Sequence, residues 1–536
     1  MSGRTIKIAV LAVTTAMIAA ACTGSSSNDN GGNGTGGNPV SDTFTYSVNS
    51  EVMIGWDPST DYSNEVIAMQ NMYESLTRYN SDTQEVEPLL ATKWTSNADG
   101  TEWTFTLRDG VTFHTGRPMD STAVKEAIQR TIDMGQAASY IWGAVKSIET
   151  PDPLTVVFKL SYPSPIDLVA SGDYSSYIFD TQAAGSQDLG KWFAEGHDAG
   201  TGPYTVDQFA PGQEVELRLT SYPDYWGGWD GSHYQNLVFR VTPEATTAAQ
   251  LLRAGEVTMV QRMTPQLWSS FANQDGFTTT TAPSWQTLFA LMNTASGPLA
   301  NKNVRLAVAY GVDYQGILSA LHGAGDPLSG VVPPGLWGHS DDLPNYTYDP
   351  EKAKSLLQGE GYGPSGQPLQ LELTYLNGDA DEELVATLMK SDLADLNIQL
   401  DVRGLQWQAQ WSQGKSSDPS KRQDIFIFYW WPDYPDPVSW FYNLFRTEAK
   451  PFFNLSYYSN PSLDSEIDQT ASLAATDRAA AAQNYHDMQV TLLQDGVAIP
   501  VYTQVYQRAM LSSVSGFQDN PAYPSVVFAY NLTPEA

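Results

Sequence analysis

Residues 369–402 constrain the fold more than any other stretch. Leu369, Leu371, Leu373 and Tyr375 alternate with polar residues, the period of a strand with one buried face. Val385, Leu388, Met389, Leu393 and Leu396 then fall on one side of a helix, and "IQLDV" (398–402) returns to a strand. Strand, helix and strand in succession form a parallel pair joined by a right-handed crossover. The chain therefore contains α/β architecture, and the remaining segments have to extend it.

They do so on both sides. "EWTFTLRDG" (102–110) alternates Trp103, Phe105 and Leu107 and ends in an Asp-Gly turn; "LTVVFKL" (154–160) and "EVELRLT" (214–220) read as strands likewise. "YDPEKAKSLLQGEGY" (348–362) has Asp349 to cap a helix, Pro350 at its first position, Ala353, Leu356 and Leu357 on one face and Gly359 near its stop. "NVRLAVAY" (303–310), "DYQGILSAL" (313–321) and residues 478–494 carry further helical patterns, the last leading into "VAIPVY" (497–502). No internal repeat is present. At 536 residues the chain is too long for one core and predicts about two to four domains.

Charge narrows the partners. With 28 basic and 60 acidic residues the formal net charge is −32. Nucleic acid is excluded as a partner, because its phosphates need a basic footprint, and electrostatic adhesion to anionic lipid is disfavoured. A cationic ligand fits this balance, but so does an acidic surface that only maintains solubility.

The first residues have a different character. "MSGRTIK" carries Arg4 and Lys7 and no acid, and "IAVLAVTTAMIAAA" (8–21) is an apolar run too short to span a bilayer. This is a secretory signal peptide over residues 1–21, and the only cysteine, Cys22, follows it. "IAAAC" resembles a bacterial lipobox, with Ala19 where leucine is preferred; the resemblance implies a lipid on Cys22 and a lipid anchor instead of a transmembrane helix. Residues 22–41 are rich in Gly, Ser and Asn and read as a flexible tether. Gly32, Gly34 and Gly37 fit a G-x-G-x-x-G spacing by chance, since no strand precedes them and no helix follows.

Catalytic signatures are missing. The six histidines, His114, His197, His233, His322, His339 and His486, are scattered, with no H-E-x-x-H or paired spacing for a metal. There is no G-x-S-x-G, no C-x-x-C and no P-loop. Sixty carboxylates leave a glycoside hydrolase as a remote reading. No enzyme, no cofactor and no metal is expected.

The most distinctive local stretch is "DIFIFYWWPDYPDP" (424–437), a buried-strand pattern that ends in tryptophans and a proline-stiffened acidic loop. A turn that caps itself explains the loop; so does a ligand platform in which a fixed carboxylate meets a desolvated cation.

Several blocks bear on the choice and favour the platform, with the self-capping turn still open for Asp433. "LRDGVTFHTG" (107–116), "GRPMDSTAV" (116–124), the G-T-G-P-Y turn and Tyr-Trp-Gly end of residues 200–228, "NVRLAVAYGVDYQGIL" (303–318), residues 348–362 and residues 424–437 resemble, in order, the family 5 extracellular solute-binding proteins. These are oligopeptide- and dipeptide-binding proteins of bacterial ABC importers. The resemblance spans about residues 44–515 and implies a two-lobe periplasmic-binding-protein-like fold (type II, cluster C-like) that closes on ligand like a hinge. The first lobe is expected at 42–281 with an inserted subdomain at about 85–185, the second at 282–506, and a return to the first at 507–536. The crossings are expected near 281–285 and 502–506.

The resemblance also implies a site. Trp430 and Asp433 match the family's strand-end tryptophan and the aspartate that pairs with a ligand's ammonium. Tyr429 and Trp431 replace smaller residues there and make the pocket bulkier and more aromatic, which keeps an oligosaccharide open as ligand beside a peptide. Trp285, Trp407 and Arg403 complete the expected ligand-binding set, with core packing equally open for Trp407 and with Arg403 read either as a partner for a peptide carboxylate or, the reading favoured, as a solvent-exposed arginine; His114 belongs to a fold motif. The implied partners are the membrane subunits of an ABC importer and the membrane itself through Cys22. The protein is expected as a monomer on the outer face of the cytoplasmic membrane, in the periplasm if the cell has two membranes.

Overall fold

The βαβ unit forms where its spacing predicts. In the computed structural model, which describes residues 42–49, 52, 55–209 and 216–535, strands Leu369–Leu376 and Ile398–Leu405 pair in parallel, Leu369 opposite Ile398 and Leu376 opposite Leu405. Helix Ala380–Ala394 joins them; Val385, Met389 and Leu393 are buried and Leu388 packs at the margin of the same core. Asp379 caps this helix, accepting from the amides of Asp381 and Glu382 at 3.1 and 3.0 Å.

This pair is one end of an eleven-stranded sheet. Ile398–Leu405, Leu369–Leu376, Ile425–Trp430, Phe277–Met292 and Ala498–Leu511 lie side by side, and Met259–Val260, Thr43–Val48, Asn236–Val241, Glu216–Ser221 and Tyr204–Gln208 continue the order. Phe277–Met292 and Ala498–Leu511, of 16 and 14 residues, form an antiparallel seam through the middle. Their register shifts between Pro283 and Thr287 and again between Leu288 and Phe289. Pro283 has no amide hydrogen to give to the ladder, so the pairing loosens where it sits. Residues 281–285 and 502–506 are inside these two strands, with Ala282 opposite Tyr506 and Pro283 opposite Val505.

A separate antiparallel sheet orders Ala91–Ser96, Glu102–Leu107, Thr155–Leu160 and Val145–Asp152, with helix Ser121–Met134 against it. Trp103, Phe105 and Leu107 are its buried alternate residues. Helices Lys302–Tyr310, Tyr314–Ala320, Pro350–Gly359 and Arg478–Asp495 stand where the sequence predicts them, and Asp349 accepts from the Lys352 amide at 2.9 Å. Glu214 and Val215 of the expected 214–220 strand lie outside the described residues, as do the expected signal peptide, Cys22 and the tether. Among the described residues no helix is long and apolar enough to cross a membrane.

Strand Ile425–Trp430 sits between two cores. Ile425 and Ile427 belong to the core built on the 302–310, 350–359 and 380–394 helices; Phe426, Phe428 and Trp430 belong to a larger one that reaches Phe44 and Met69. A strand buried on both faces reads as a continuous apolar run, which is why "IFIFYW" does not alternate.

Candidate functional site

The doubly buried strand gives the loop after it a rigid base. Its carboxylate, Asp433, is held on one oxygen: Oδ2 accepts from the Tyr140 hydroxyl at 2.5 Å and from Ser439 Oγ and Asn443 Nδ2 at 3.1 Å each. Oδ1 has no hydrogen-bond partner among the described residues. Burial pushes the carboxyl above its ordinary value, and the three donors pull it part of the way back. The Asp433 carbonyl accepts from the Asp173 amide at 3.0 Å. That contact needs Gly172: a Cβ there meets the Asp433 carbonyl oxygen at 2.9 Å.

Asp433 opens onto a cavity of about 760 Å³, lined on its other sides by residues 62–64, 66 and 67, by Tyr140 and Tyr174, by residues 261–263, by the start of helix Ala380–Ala394 and by residues 504–508. This size suits a small organic ligand. Four other expected residues line it. Trp431 donates from Nε1 to the Tyr174 hydroxyl at 3.1 Å, which itself donates to the Ser63 carbonyl at 2.8 Å. Trp430 packs edge-on against Phe453 at 5.0 Å, its indole nitrogen buried without a partner. Trp407 stacks on Trp411 at 4.9 Å. Tyr429 shares a 2.6 Å hydrogen bond with the Tyr502 hydroxyl.

Two expected residues do not reach the lining. Trp285 is 2% exposed and packs against Tyr79 at 5.8 Å. Arg403 lies on the strand Ile398–Leu405 with its side chain 47% exposed and pairs with Glu372 at 3.2 Å. The arginine that does line the cavity is Arg262, which donates to Asp379 at 2.6 and 3.2 Å, to Asp381 at 2.5 Å and to the Tyr429 hydroxyl at 3.1 Å. Burial opposes its charge, but Asp379, Tyr429 and Asp381 hold the guanidinium protonated well beyond its ordinary range.

Tyr140 and Arg262 escaped the sequence reading because no local pattern marks them. Tyr140, in the short turn Ala137–Trp142, meets a carboxylate 293 residues away. Ser439 and Asn443 are closer to legible, since both follow Asp433 within ten residues and one helical turn apart. His114 is buried between Asp198 and the Gly202 carbonyl, away from the cavity. Among the described residues no group of three or more His, Cys, Asp or Glu could hold a metal ion.

Known proteins agree with this architecture. The chain is 27% identical over 465 residues to the probable D,D-dipeptide-binding periplasmic protein DdpA of Escherichia coli (strain K12), covering 85% of this chain and 87% of that one. It is 25% identical over 548 residues to heme-binding protein A of Haemophilus influenzae, covering 95% and 96%. Among solved structures, the ABC transporter-associated periplasmic binding protein DppA of Helicobacter pylori, in complex with the peptide STSA, superposes with a TM-score of 0.81 at 22% identity, covering 93% of this chain and 99% of that one. The fold is thus the two-lobed α/β fold of the periplasmic binding proteins. Residues 85–452 match the family described as "Bacterial extracellular solute-binding proteins, family 5 Middle". The chain belongs to the family 5 extracellular solute-binding proteins.

Proposed function

We propose that this protein captures a peptide, or a comparable amphipathic solute bearing an ammonium group, and delivers it to the membrane subunits of an ABC importer. The observation that carries the reading is Asp433. One carboxylate oxygen is immobilised by three donors, the other is left without a partner among the described residues, and the residue borders a cavity of ligand size. An ammonium entering from water finds there a fixed anion whose orientation costs nothing further. Trp407, Trp430 and Trp431 supply faces for apolar groups or for the cation itself. The relatives support peptides as the ligand class: probable D,D-dipeptide binding for DdpA and a bound tetrapeptide for DppA.

Capture proceeds by closure. Ligand that touches both lobes favours the closed state by its differential affinity, and the closed form is what a transporter recognises. We take the first lobe as residues 42–281 with a subdomain at about 85–185, the second as 282–506, and 507–536 as the return. Residues 1–21 serve as the signal peptide, Cys22 carries the lipid and 22–41 form the tether, so the protein works as a monomer at the outer face of the cytoplasmic membrane. It performs no chemistry on its ligand.

Native mass spectrometry of the protein purified gently from its host tests this. A retained mass that fragments as a peptide, and is lost in Asp433→Ala, supports it. A hexose ladder that survives the substitution replaces the peptide with an oligosaccharide and leaves Asp433 as a loop-former.

A further inference from the structure

The cavity's charges are unevenly matched. Among the described residues, Glu244, Asp379, Asp381, Glu382 and Asp433 line it on the acidic side, and only Arg262 and Arg508 on the basic side. Both arginines are already occupied. Arg262 lies between two carboxylates, Asp379 and Asp381. Arg508 is engaged by Asp519 at 3.1 and 3.2 Å and by the Gln261 carbonyl at 2.5 Å. A ligand carboxylate that approached Arg262 would enter a triad whose formal charge is already −1. Among the described residues no lysine lines the cavity. Arg403, one candidate for a ligand's acid end, is on Glu372 and outside the lining.

An ammonium has the opposite reception. Asp433 Oδ1 is unpartnered, Glu244 is exposed with no ion pair, and aromatic faces from Tyr62, Trp407, Trp430 and Trp431 surround the space between. We propose that the cavity selects organic cations that bring no carboxylate into it: amines with an apolar or aromatic body, or peptides whose acid end is blocked. For peptides this rests on the capture reading above and sharpens it, because a free zwitterionic dipeptide meets an unpaired carboxylate here for its ammonium and, among the described residues, no cation free of carboxylates for its acid end.

Two matched probe pairs test this on the full-length protein by isothermal titration calorimetry. One pair is alanyl-phenylalanyl-alanine and its C-terminal amide; the other is tryptophan and tryptamine. We expect the carboxylate-free member of a pair to bind at least about tenfold tighter, the effect of leaving one charged group unpaired on burial. Asp381→Asn removes one of the two anions on Arg262 and should bring the ratio within a pair toward one, a change that a purely structural role for Asp381 does not produce. An acid that binds as well as its carboxylate-free partner overturns the proposal, and so does a ratio that Asp381→Asn leaves unmoved. A preference for the acid would seat the carboxylate on the uncapped amides at the start of helix Trp407–Gly414. If tryptamine binds over tryptophan while neither peptide binds, the charge rule stands and peptide capture fails. If nothing in either pair binds, both fall.

Discussion

Asp436 offers a sharp quantitative test of how the loop is held. Its side chain is buried, 1% exposed, with Oδ1 accepting from the Val438 amide at 2.9 Å and the Tyr485 hydroxyl at 3.0 Å, and Oδ2 without a partner. Burial pushes its pKa from 3.8 up to about 6, against the pull of those two donors and of Arg478. Because the folded value is raised, the native protein holds a proton that the unfolded chain has released between those two pH values. Stability from this residue is therefore fully present below the ordinary carboxyl value and is lost as pH rises through about 6. At about 1.4 kcal/mol for each tenfold change in proton affinity, the loss totals about 3 kcal/mol. Asp436→Asn removes the ionisation but keeps the Oδ1 acceptor, and its nitrogen replaces an oxygen that already lacks a partner. The variant should be more stable than the parent by about 1 kcal/mol at pH ~4.5 and by about 3 kcal/mol at pH ~7.5. Urea unfolding of both proteins at several pH values, followed by tryptophan fluorescence, measures this difference and cancels the other buried carboxyls. A difference that is flat with pH, or that shrinks as pH rises, refutes the reasoning.

Three further outcomes are expected. Asp433→Asn should weaken an ammonium-bearing ligand by about 2–5 kcal/mol; in the parent, whose Asp433 pKa is raised, that affinity should fall as pH drops through the raised value, and calorimetric titration reads both. Tyr140→Phe removes the 2.5 Å hydrogen bond to Asp433; the acid limb of the binding profile should move to higher pH, with affinity near neutrality reduced by about 1–2 kcal/mol. Gly172→Ala forces a Cβ to within 2.9 Å of the Asp433 carbonyl and of Ser176 Oγ, and should lower the unfolding free energy by about 1–3 kcal/mol, seen as a reduced melting temperature.

Legibility followed locality. The βαβ unit, the Asp349-capped helix and the 102–107 strand were readable because each is specified by its own spacing and caps. The loop after Trp430 announced itself by composition, and five of the residues expected at the site, Tyr429, Trp430, Trp431, Asp433 and Trp407, border one cavity. Trp285 and Arg403 lie outside the lining of this cavity, and nothing local to a tryptophan or an arginine tells a cavity wall from a core or a solvent-facing ion pair. Trp285 meets Tyr79 from a distant segment, and Arg403 meets Glu372 across the paired strands of the βαβ unit. Arg262 and Tyr140 were invisible in the converse way, since ordinary residues became site residues only through partners more than a hundred positions away. The full length of Phe277–Met292 was hidden too, because its first half, with its run of threonines and Pro283, has no clean alternation.

The central seam has a consequence for how the molecule comes to exist. Phe277–Met292 finds its antiparallel partner in Ala498–Leu511, more than two hundred residues later, and Thr43–Val48 pairs with Asn236–Val241 and Met259–Val260. Neither half of the sheet can be zipped to the other until nearly the whole chain is present. Such long-range pairing makes folding slow, since loop closure precedes any reward from contact. On the export route we propose from a signal peptide at residues 1–21, this delay is an advantage: residues 44 to about 490 can pass the export channel before the strand that locks them together has emerged.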